Sequence, residues 1–212
     1  MRGNCCRATE ARFNEKLAAN QLEGYRKGGP NRTTSMLLAA LRAQDLEWST
    51  LLDVGGGIGV LHHELLAGNQ ARATNVDISS AYLAAAKAES RRRRHEDRVR
   101  FVHADFVDAV DLTDPADVVT LDRVICCYEG LEQLVDASAA KAVKLYGAVY
   151  PRDKWWVRIG NALSNLGLRI RGQEHRTYVH DPRRIEALLL QHGLRRRSIE
   201  NTFVWHVAVF AK

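Results

Sequence analysis

The sequence predicts an α/β fold, a three-layer sandwich in which helices cover both faces of a mainly parallel, seven-stranded sheet. Short apolar runs alternate with helical patterns in the order β-α-β-α-β-β-α-β over residues 51–150, and this alternation is typical of a parallel sheet. Two further apolar runs, at residues 194–200 and 202–210, are joined by a tight turn. Because parallel neighbours need a long crossover, we expect the last strand to run antiparallel.

Each predicted strand is a short apolar run bounded by glycine, proline, asparagine or an acidic residue, as a buried strand requires. The turn at Asp114-Pro115, for example, separates the third strand from the fourth. The seven predicted strands are residues 51–54, 71–77, 99–104, 117–121, 144–150, 194–200 and 202–210.

The predicted helices combine apolar residues at helical spacing with start and stop signals. Ser79-Ser80 and Asp181-Pro182 are typical N-terminal caps, whereas Gly68-Asn69 and His192-Gly193 are stop signals. The predicted helices are residues 12–25, 33–46, 58–67, 80–88, 131–142, 155–168 and 182–192. We expect one domain over residues 1–212, with an N-terminal helical lid at 1–46 and a helical insert at 154–172.

The net charge of +6 arises largely from two arginine runs, at residues 91–94 and 195–197. A nucleic-acid surface is one interpretation. However, neither run is interleaved with the aromatic residues that stack on bases, and the first falls where a helix should end, a position that suits cations. We therefore expect solvated ends of secondary-structure elements and no nucleic-acid partner.

The polar N-terminus, residues 1–11, has no apolar segment typical of a signal peptide, and no apolar run is long enough to span a bilayer. The four cysteines form the adjacent pairs Cys5-Cys6 and Cys126-Cys127, without the C-x-x-C spacing of zinc or redox sites. The sequence therefore predicts a cytoplasmic protein with free thiols and no metal site.

A glycine-rich turn between the first strand and the next helix is the most informative segment. Residues 51–59 contain the pattern D-x-G-x-G-x-G, with Asp53 followed by Gly55, Gly56 and Gly57. Glycines at this place let the backbone turn tightly and approach a ligand closely. The pattern matches neither the dinucleotide fingerprint G-x-G-x-x-G nor the phosphate-binding G-K-[ST] loop.

Acidic residues follow the strands that come next. Asp77 ends the second strand, 77 − 55 = 22 residues after Gly55, a spacing at which an acid can accept both hydroxyls of a ribose. A plain helix cap is the alternative function of the Asp77 segment. Asp105 and Phe106 follow the third strand, and Asp122 follows the fourth.

With these motifs, residues 51–128 resemble the class I S-adenosylmethionine-dependent methyltransferases. The resemblance implies a Rossmann-like sandwich whose cofactor is S-adenosylmethionine and whose product is S-adenosylhomocysteine. It also implies that the loop of Gly55, Gly56 and Gly57 lies against the methionine part, that Asp53 helps to hold the amino end, and that residues 120–128, with Asp122, pass near the sulfonium. By the same resemblance Asp77 meets the ribose, Ile78 faces the adenine, Asp105 accepts its amino group and Phe106 packs on its ring.

The element order and the insert are most similar to small-molecule methyltransferases, with a looser likeness to magnesium-protoporphyrin O-methyltransferases. Those enzymes carry a histidine before the tyrosine of this segment, where this chain has Cys127 before Tyr128. The resemblance implies methyl transfer to a small-molecule acceptor by in-line displacement. A nucleic-acid or protein methyltransferase and a non-catalytic S-adenosylmethionine-binding module are the alternatives.

The remaining candidate residues concern the binding of the methyl acceptor. Tyr128 is a candidate catalytic residue because it follows the fourth strand, and Tyr25 is a candidate because the N-terminal segment of the family often closes over the cofactor; ordinary packing is the alternative for Tyr25. Four residues on or near the insert are candidates for lining an apolar acceptor pocket: Trp155, Trp156, His175 and Tyr178. Because Trp155 and Trp156 cannot share one helix face, core packing is the alternative for at least one of them. We do not expect Cys127 to be a nucleophile, because no base is assigned beside it and a buried cysteine is usually inert. We expect His62-His63 to be partly exposed helix residues rather than a chelating pair.

Overall fold

The computed structural model describes residues 10 and 12–212, in which seven α-helices and seven strands are found. The predicted thiols of Cys5-Cys6 and the predicted lack of a signal peptide fall on residues outside the described ones. The helices are α1 (Glu15–Gly28), α2 (Arg32–Arg42), α3 (Val60–Leu66), α4 (Ser80–Arg92), α5 (Leu131–Lys141), α6 (Trp155–Ile170) and α7 (Pro182–Gln191). The strands are β1 (Thr50–Val54), β2 (Arg72–Asp77), β3 (Val99–His103), β4 (Ala116–Asp122), β5 (Ala142–Pro151), β6 (Arg195–Asn201) and β7 (Trp205–Ala211).

The strands form one sheet in the order β3-β2-β1-β4-β5-β7-β6. The strands β3, β2, β1, β4 and β5 are mutually parallel, and β7 pairs antiparallel with both β5 and β6. This arrangement confirms the predicted Rossmann-like sandwich and its antiparallel last strand. The parallel register pairs Val54 with Val76 and Asp77 with His103, so the carboxyl ends of the first strands meet at one edge of the sheet.

Apolar side chains are buried on both faces of this sheet. On one face α2 and α3 cover β1 and β5, with Leu37, Leu65 and Leu145 in one cluster. On the other face α5 and α7 pack in a second cluster that includes Leu134 and Ile185. Both clusters lie against strands that are largely buried, and the strands read as near-continuous apolar runs for this reason.

The helix α1 is attached to the domain through a buried acid of α4. The Glu89 side chain is fully buried and accepts hydrogen bonds from Arg26 (2.9 Å), Arg92 (2.9 Å) and Arg93 (2.8 Å). These guanidiniums hold the pKa of the Glu89 carboxyl below its ordinary value, against the effect of burial, which raises it. The ring of Tyr25 on α1 also stacks under the Arg93 guanidinium, 4.9 Å away.

The first arginine run lies where it was predicted, whereas the histidine pair does not. Arg91 and Arg92 do lie in the last turn of a helix, although Arg92 and Arg93 also pair with Glu89. The expectation that His62 and His63 are partly exposed is wrong, because both side chains are fully buried. The helix α3 that carries them is covered on both sides, by the sheet and by the turn that contains His95. Among the residues that the structure describes, no helix could cross a membrane.

We predict that Glu89→Gln lowers the free energy of unfolding at pH 7 by about 1–3 kcal/mol. Removing one partner of a buried ion pair leaves the others uncompensated, but the arginines are partly exposed and water screens them. Because the folded-state pKa of Glu89 is lowered, its stabilisation is complete above the unfolded value of about 4.3 and is lost as the pH falls below it. Thermal unfolding from pH 7 to pH 3 should therefore show the difference shrinking toward acid. Glu96→Gln, at an exposed site, is the control, and an equal effect of both substitutions would contradict the prediction.

Candidate active site

A cavity of about 470 Å³ lies at the carboxyl ends of β1 to β4. In an α/β sheet this edge is where ligands bind, because the strand order reverses between β1 and β4. Nearly all of the predicted site residues line the cavity, namely Asp53, Gly55, Gly56, Gly57, Asp77, Ile78, Asp105, Phe106, Asp122 and Tyr128. Tyr25 is the exception.

The glycine-rich loop is held between two neighbouring strands. Gly55 has a φ of 61° and donates its amide to the carbonyl of Val76 over 2.7 Å, and Gly57, with a φ of 57°, donates to the Asp77 carboxylate over 2.9 Å. A Cβ atom on Gly56 would lie only 2.6 Å from Asp53 Oδ2. The loop therefore needs glycine for its left-handed turns and for its close approach to the acid below it.

Asp77 joins the glycine-rich loop to the start of α4 through two hydrogen bonds. Its Oδ2 accepts from Gly57, and its Oδ1 accepts from the amide of Ser79 over 2.7 Å. Burial raises the pKa of the Asp77 carboxyl to about 6. Each carboxylate oxygen has two acceptor sites, so the cap and a ligand contact, which the sequence presents as alternatives, are compatible here.

Asp53 lies beneath the loop in a layer of buried polar side chains. It accepts from Thr120 Oγ1 over 2.8 Å, and His62 Nδ1 lies 3.3 Å from its other oxygen. Burial raises the pKa of Asp53 to about 7 and lowers that of His62 to about 3, so His62 is a neutral imidazole at pH 7. The layer continues through His63, whose Nδ1 lies 2.9 Å from His95 Nε2.

Asp105 lies just after β3, and Asp122 is the last residue of β4. The Tyr128 hydroxyl lies 3.2 Å from both carboxylate oxygens of Asp105, to which it donates. Asp122 accepts a hydrogen bond from the Thr34 hydroxyl of α2 and lies 3.1 Å from Arg123 Nε. Thr34 lines the cavity, but no sequence pattern marked it as a site residue.

Phe106 is a core residue as well as a lining residue. Its side chain is almost fully buried and packs in the apolar cluster with Val54 and Val76. One part of its surface nevertheless faces the cavity beside Ile78 and Asp105. The cavity therefore has an apolar wall next to the Asp105 carboxylate.

Beyond β4 the cavity is lined by sulfur and imidazole groups. The Sγ atoms of Cys126 and Cys127 are 3.8 Å apart, and the structure has both as free thiols. Hydrogen bonds from Cys126 and from His175 lower the pKa of the Cys127 thiol, whereas the pKa of Cys126 is raised. The sequence assigned no base beside Cys127, whereas the structure places one there. The base, His175, is 48 residues further along the chain, so local spacing could not reveal it.

The other acceptor-side predictions are met only in part. His175 lines the cavity, as expected, but Trp155, Trp156 and Tyr178 do not. Trp155 is 70% exposed, and Trp156 stacks on Phe203 with ring centroids 5.6 Å apart. Trp155 therefore points into solvent, and Trp156 contacts the turn between β6 and β7.

Tyr25 is placed differently from its prediction as a catalytic candidate. Its side chain is 5% exposed and packs with Leu22, Ile58 and Tyr82. The hydroxyl donates to Glu64 over 2.5 Å, and burial raises its pKa. Tyr25 is therefore a packing residue that fixes α1, which was the alternative interpretation. Within residues 10 and 12–212, no group of three or more potential metal ligands is found.

Comparisons with known proteins agree with this geometry. The methyltransferase domain family matches residues 51–149, whereas no curated protein matches the chain in sequence. Magnesium protoporphyrin IX methyltransferase from Synechocystis PCC 6803, solved with bound S-adenosylhomocysteine, superposes with a TM-score of 0.75 at 17% identity and covers 98% of this chain and 99% of its own. Geranyl diphosphate C-methyltransferase from Streptomyces coelicolor A3(2) has a TM-score of 0.65 at 15% identity, with coverage of 84% and 75%.

At these identities the solved structures show only that the fold is shared. The family match adds a similarity in sequence to a methyltransferase domain. The family match covers residues 51–149, just under half of the chain, and the solved structures share its sheet and helix arrangement. Both findings agree with the predicted family resemblance.

We predict that Cys127 is alkylated by iodoacetamide well below the pH at which an ordinary cysteine reacts. The thiolate is the reactive species, and the lowered pKa of Cys127 keeps it deprotonated at pH values below the usual value of about 8.5. Peptide mass mapping between pH 4 and pH 9 separates Cys127 from Cys126, which should react only at higher pH. In Cys127→Ser the early reaction should vanish. A midpoint for Cys127 at the ordinary cysteine value would contradict the assigned hydrogen bonds.

Proposed function

We propose that this protein transfers the methyl group of S-adenosylmethionine to a small-molecule acceptor by in-line displacement. The observation that carries the proposal is one cavity lined by two chemically different groups of residues. Four acids lie at the carboxyl ends of β1 to β4, namely Asp53, Asp77, Asp105 and Asp122, and the same cavity is lined by Cys127 and His175. Its volume of about 470 Å³ is within the usual range of small-molecule sites.

The four acids suit S-adenosylmethionine as a ligand. The ammonium, hydroxyl and amino groups of the cofactor are hydrogen-bond donors, and carboxylates are acceptors. We assign Asp77 to the ribose hydroxyls and Asp105 to the adenine amino group, between the apolar side chains of Ile78 and Phe106. The Gly55–Gly57 loop, with Asp53 beneath it and Asp122 beside it, would hold the methionine end. When bound, S-adenosylmethionine supplies an activated methyl group, so the protein mainly has to position the acceptor and exclude water.

We assign Cys127 and His175 to the part of the cavity that binds the methyl acceptor. The imidazole of His175 can take a proton from an acceptor hydroxyl, amine or acid, and its hydrogen bond with Cys127 orients the ring. Tyr128 lies between the two groups of residues, because its hydroxyl donates to Asp105 and it directly follows Cys127 in the chain. We therefore propose that Tyr128 helps to align the cofactor with the acceptor.

Two segments are proposed to enclose the site. Arg12 and Phe13, which precede α1, line the cavity, and the Phe13 ring packs edge-on against His175 with centroids 5.6 Å apart. This contact supports a lid role for residues 1–46. From the insert at 154–172, Ser164 and Leu168 also line the cavity. The free thiols are compatible with the proposed cytoplasmic location, where cysteines stay reduced.

A labelled-methyl transfer assay tests the proposal. With S-adenosylmethionine labelled in its methyl group and a cell extract as acceptor source, we expect the label in the fraction that passes an ultrafiltration membrane, where mass spectrometry identifies the product. His175→Gln should lower the turnover roughly 10²- to 10⁴-fold, the range for loss of a general base, with unchanged affinity for S-adenosylhomocysteine. Label found in retained nucleic acid or protein would contradict a small-molecule acceptor.

A further inference from the structure

The outward side of α6 is a continuous apolar stripe. Five large side chains recur along it every three or four residues and are exposed by 52% to 77%, namely Trp155, Ile159, Leu163, Leu166 and Ile170. Residues at this spacing share one face of a helix. Inward-facing residues of the same helix, Ser164 and Leu168, line the cavity, so the stripe is the face that no described element covers.

The stripe extends onto the turn between β6 and β7. Phe203 there is 73% exposed and stacks on Trp156, and Val204 follows it with 36% exposure. The other strongly exposed large apolar side chains in the described residues lie singly, at Leu46, Leu112, Val143 and Leu190. Single exposed residues are normal, whereas a contiguous apolar patch marks an interaction surface.

The surroundings of the stripe are strongly basic. Between residues 152 and 171 there are five cations, Arg152, Lys154, Arg158, Arg169 and Arg171, and one acid, Asp153, which gives a net charge of +4. Asp153 is itself paired with Arg158 at 2.9 Å. The helix α6 contains no acidic residue. An apolar face with a terminal tryptophan and flanking arginines is the pattern of helices that lie in the interface of an anionic membrane.

We propose that the α6 stripe docks this protein on an anionic lipid bilayer, with the helix lying in the plane of the surface. A second copy fits less well, because a two-fold interface would bring the same basic patch of both copies face to face. Residues 1–9 contain one large apolar side chain, Met1, and two arginines, so their composition does not match the stripe. Docking in this way does not depend on methyl transfer.

Co-sedimentation with lipid vesicles tests the docking. The full chain should bind vesicles of phosphatidylcholine mixed with phosphatidylglycerol at least about tenfold more tightly than phosphatidylcholine alone, because each cation near an anionic surface adds favourable energy. Leu163→Glu should lower the partition coefficient on anionic vesicles roughly tenfold or more. Leu112→Glu is the matched control, since Leu112 is 58% exposed and Leu163 is 64% exposed, and it should leave binding unchanged.

The thermal midpoints of both variants should stay near that of the parent protein, which shows that each folds. Equal binding by the two variants, or no binding of the parent to anionic vesicles, would overturn the proposal. A concentration-dependent dimer that Leu163→Glu abolishes would overturn it in favour of a second copy on the stripe.

Discussion

The amide of Gly57 donates to the carboxylate of Asp77, and this 2.9 Å hydrogen bond joins the turn after β1 to the end of β2. It exists because the parallel register sets Val54 beside Val76, so that both strands end at the same level. The second oxygen of Asp77 starts α4 through Ser79. One side chain thus fixes the glycine loop, the helix that follows and the floor of the cavity.

Beneath the loop, the buried side chains of Asp53 and His62 favour their neutral forms and do not form an ion pair. Asp53 has a raised pKa and His62 a lowered one, as expected where burial disfavours the charged form of each group. His62 Nε2 and Asn75 Oδ1 are buried without a hydrogen-bond partner among the described residues. The loop therefore rests on a polar layer whose acid and imidazole are less charged than they would be in water, and Asp77, Asp105 and Asp122 also line the cavity.

The sequence could predict those parts of the fold and site that local spacing determines. Glycines between a strand and a helix, and acids at strand ends, occupy adjacent positions in the chain, so Gly57 and Asp77 could be assigned in advance. Thr34 contacts Asp122 across 88 residues, and His175 reaches Cys127 from beyond the insert; such contacts depend on how elements pack. Similarly, Trp155 was a pocket candidate because it lies on the insert, but the direction in which a helix residue points depends on packing, and Trp155 is 70% exposed.

Calorimetric titration with S-adenosylhomocysteine tests most directly whether the glycine-rich loop and Asp77 hold the cofactor. The titration compares the parent protein with Asp77→Ala. Each hydrogen bond to a charged acceptor contributes about 1.5–3 kcal/mol, and water entering the gap recovers part of it. The account predicts that the variant binds roughly 30- to 1,000-fold more weakly, while Asp114→Ala, at a site 95% exposed, binds like the parent. An Asp77→Ala variant that binds within about threefold of the parent, a change below about 0.7 kcal/mol, would contradict it.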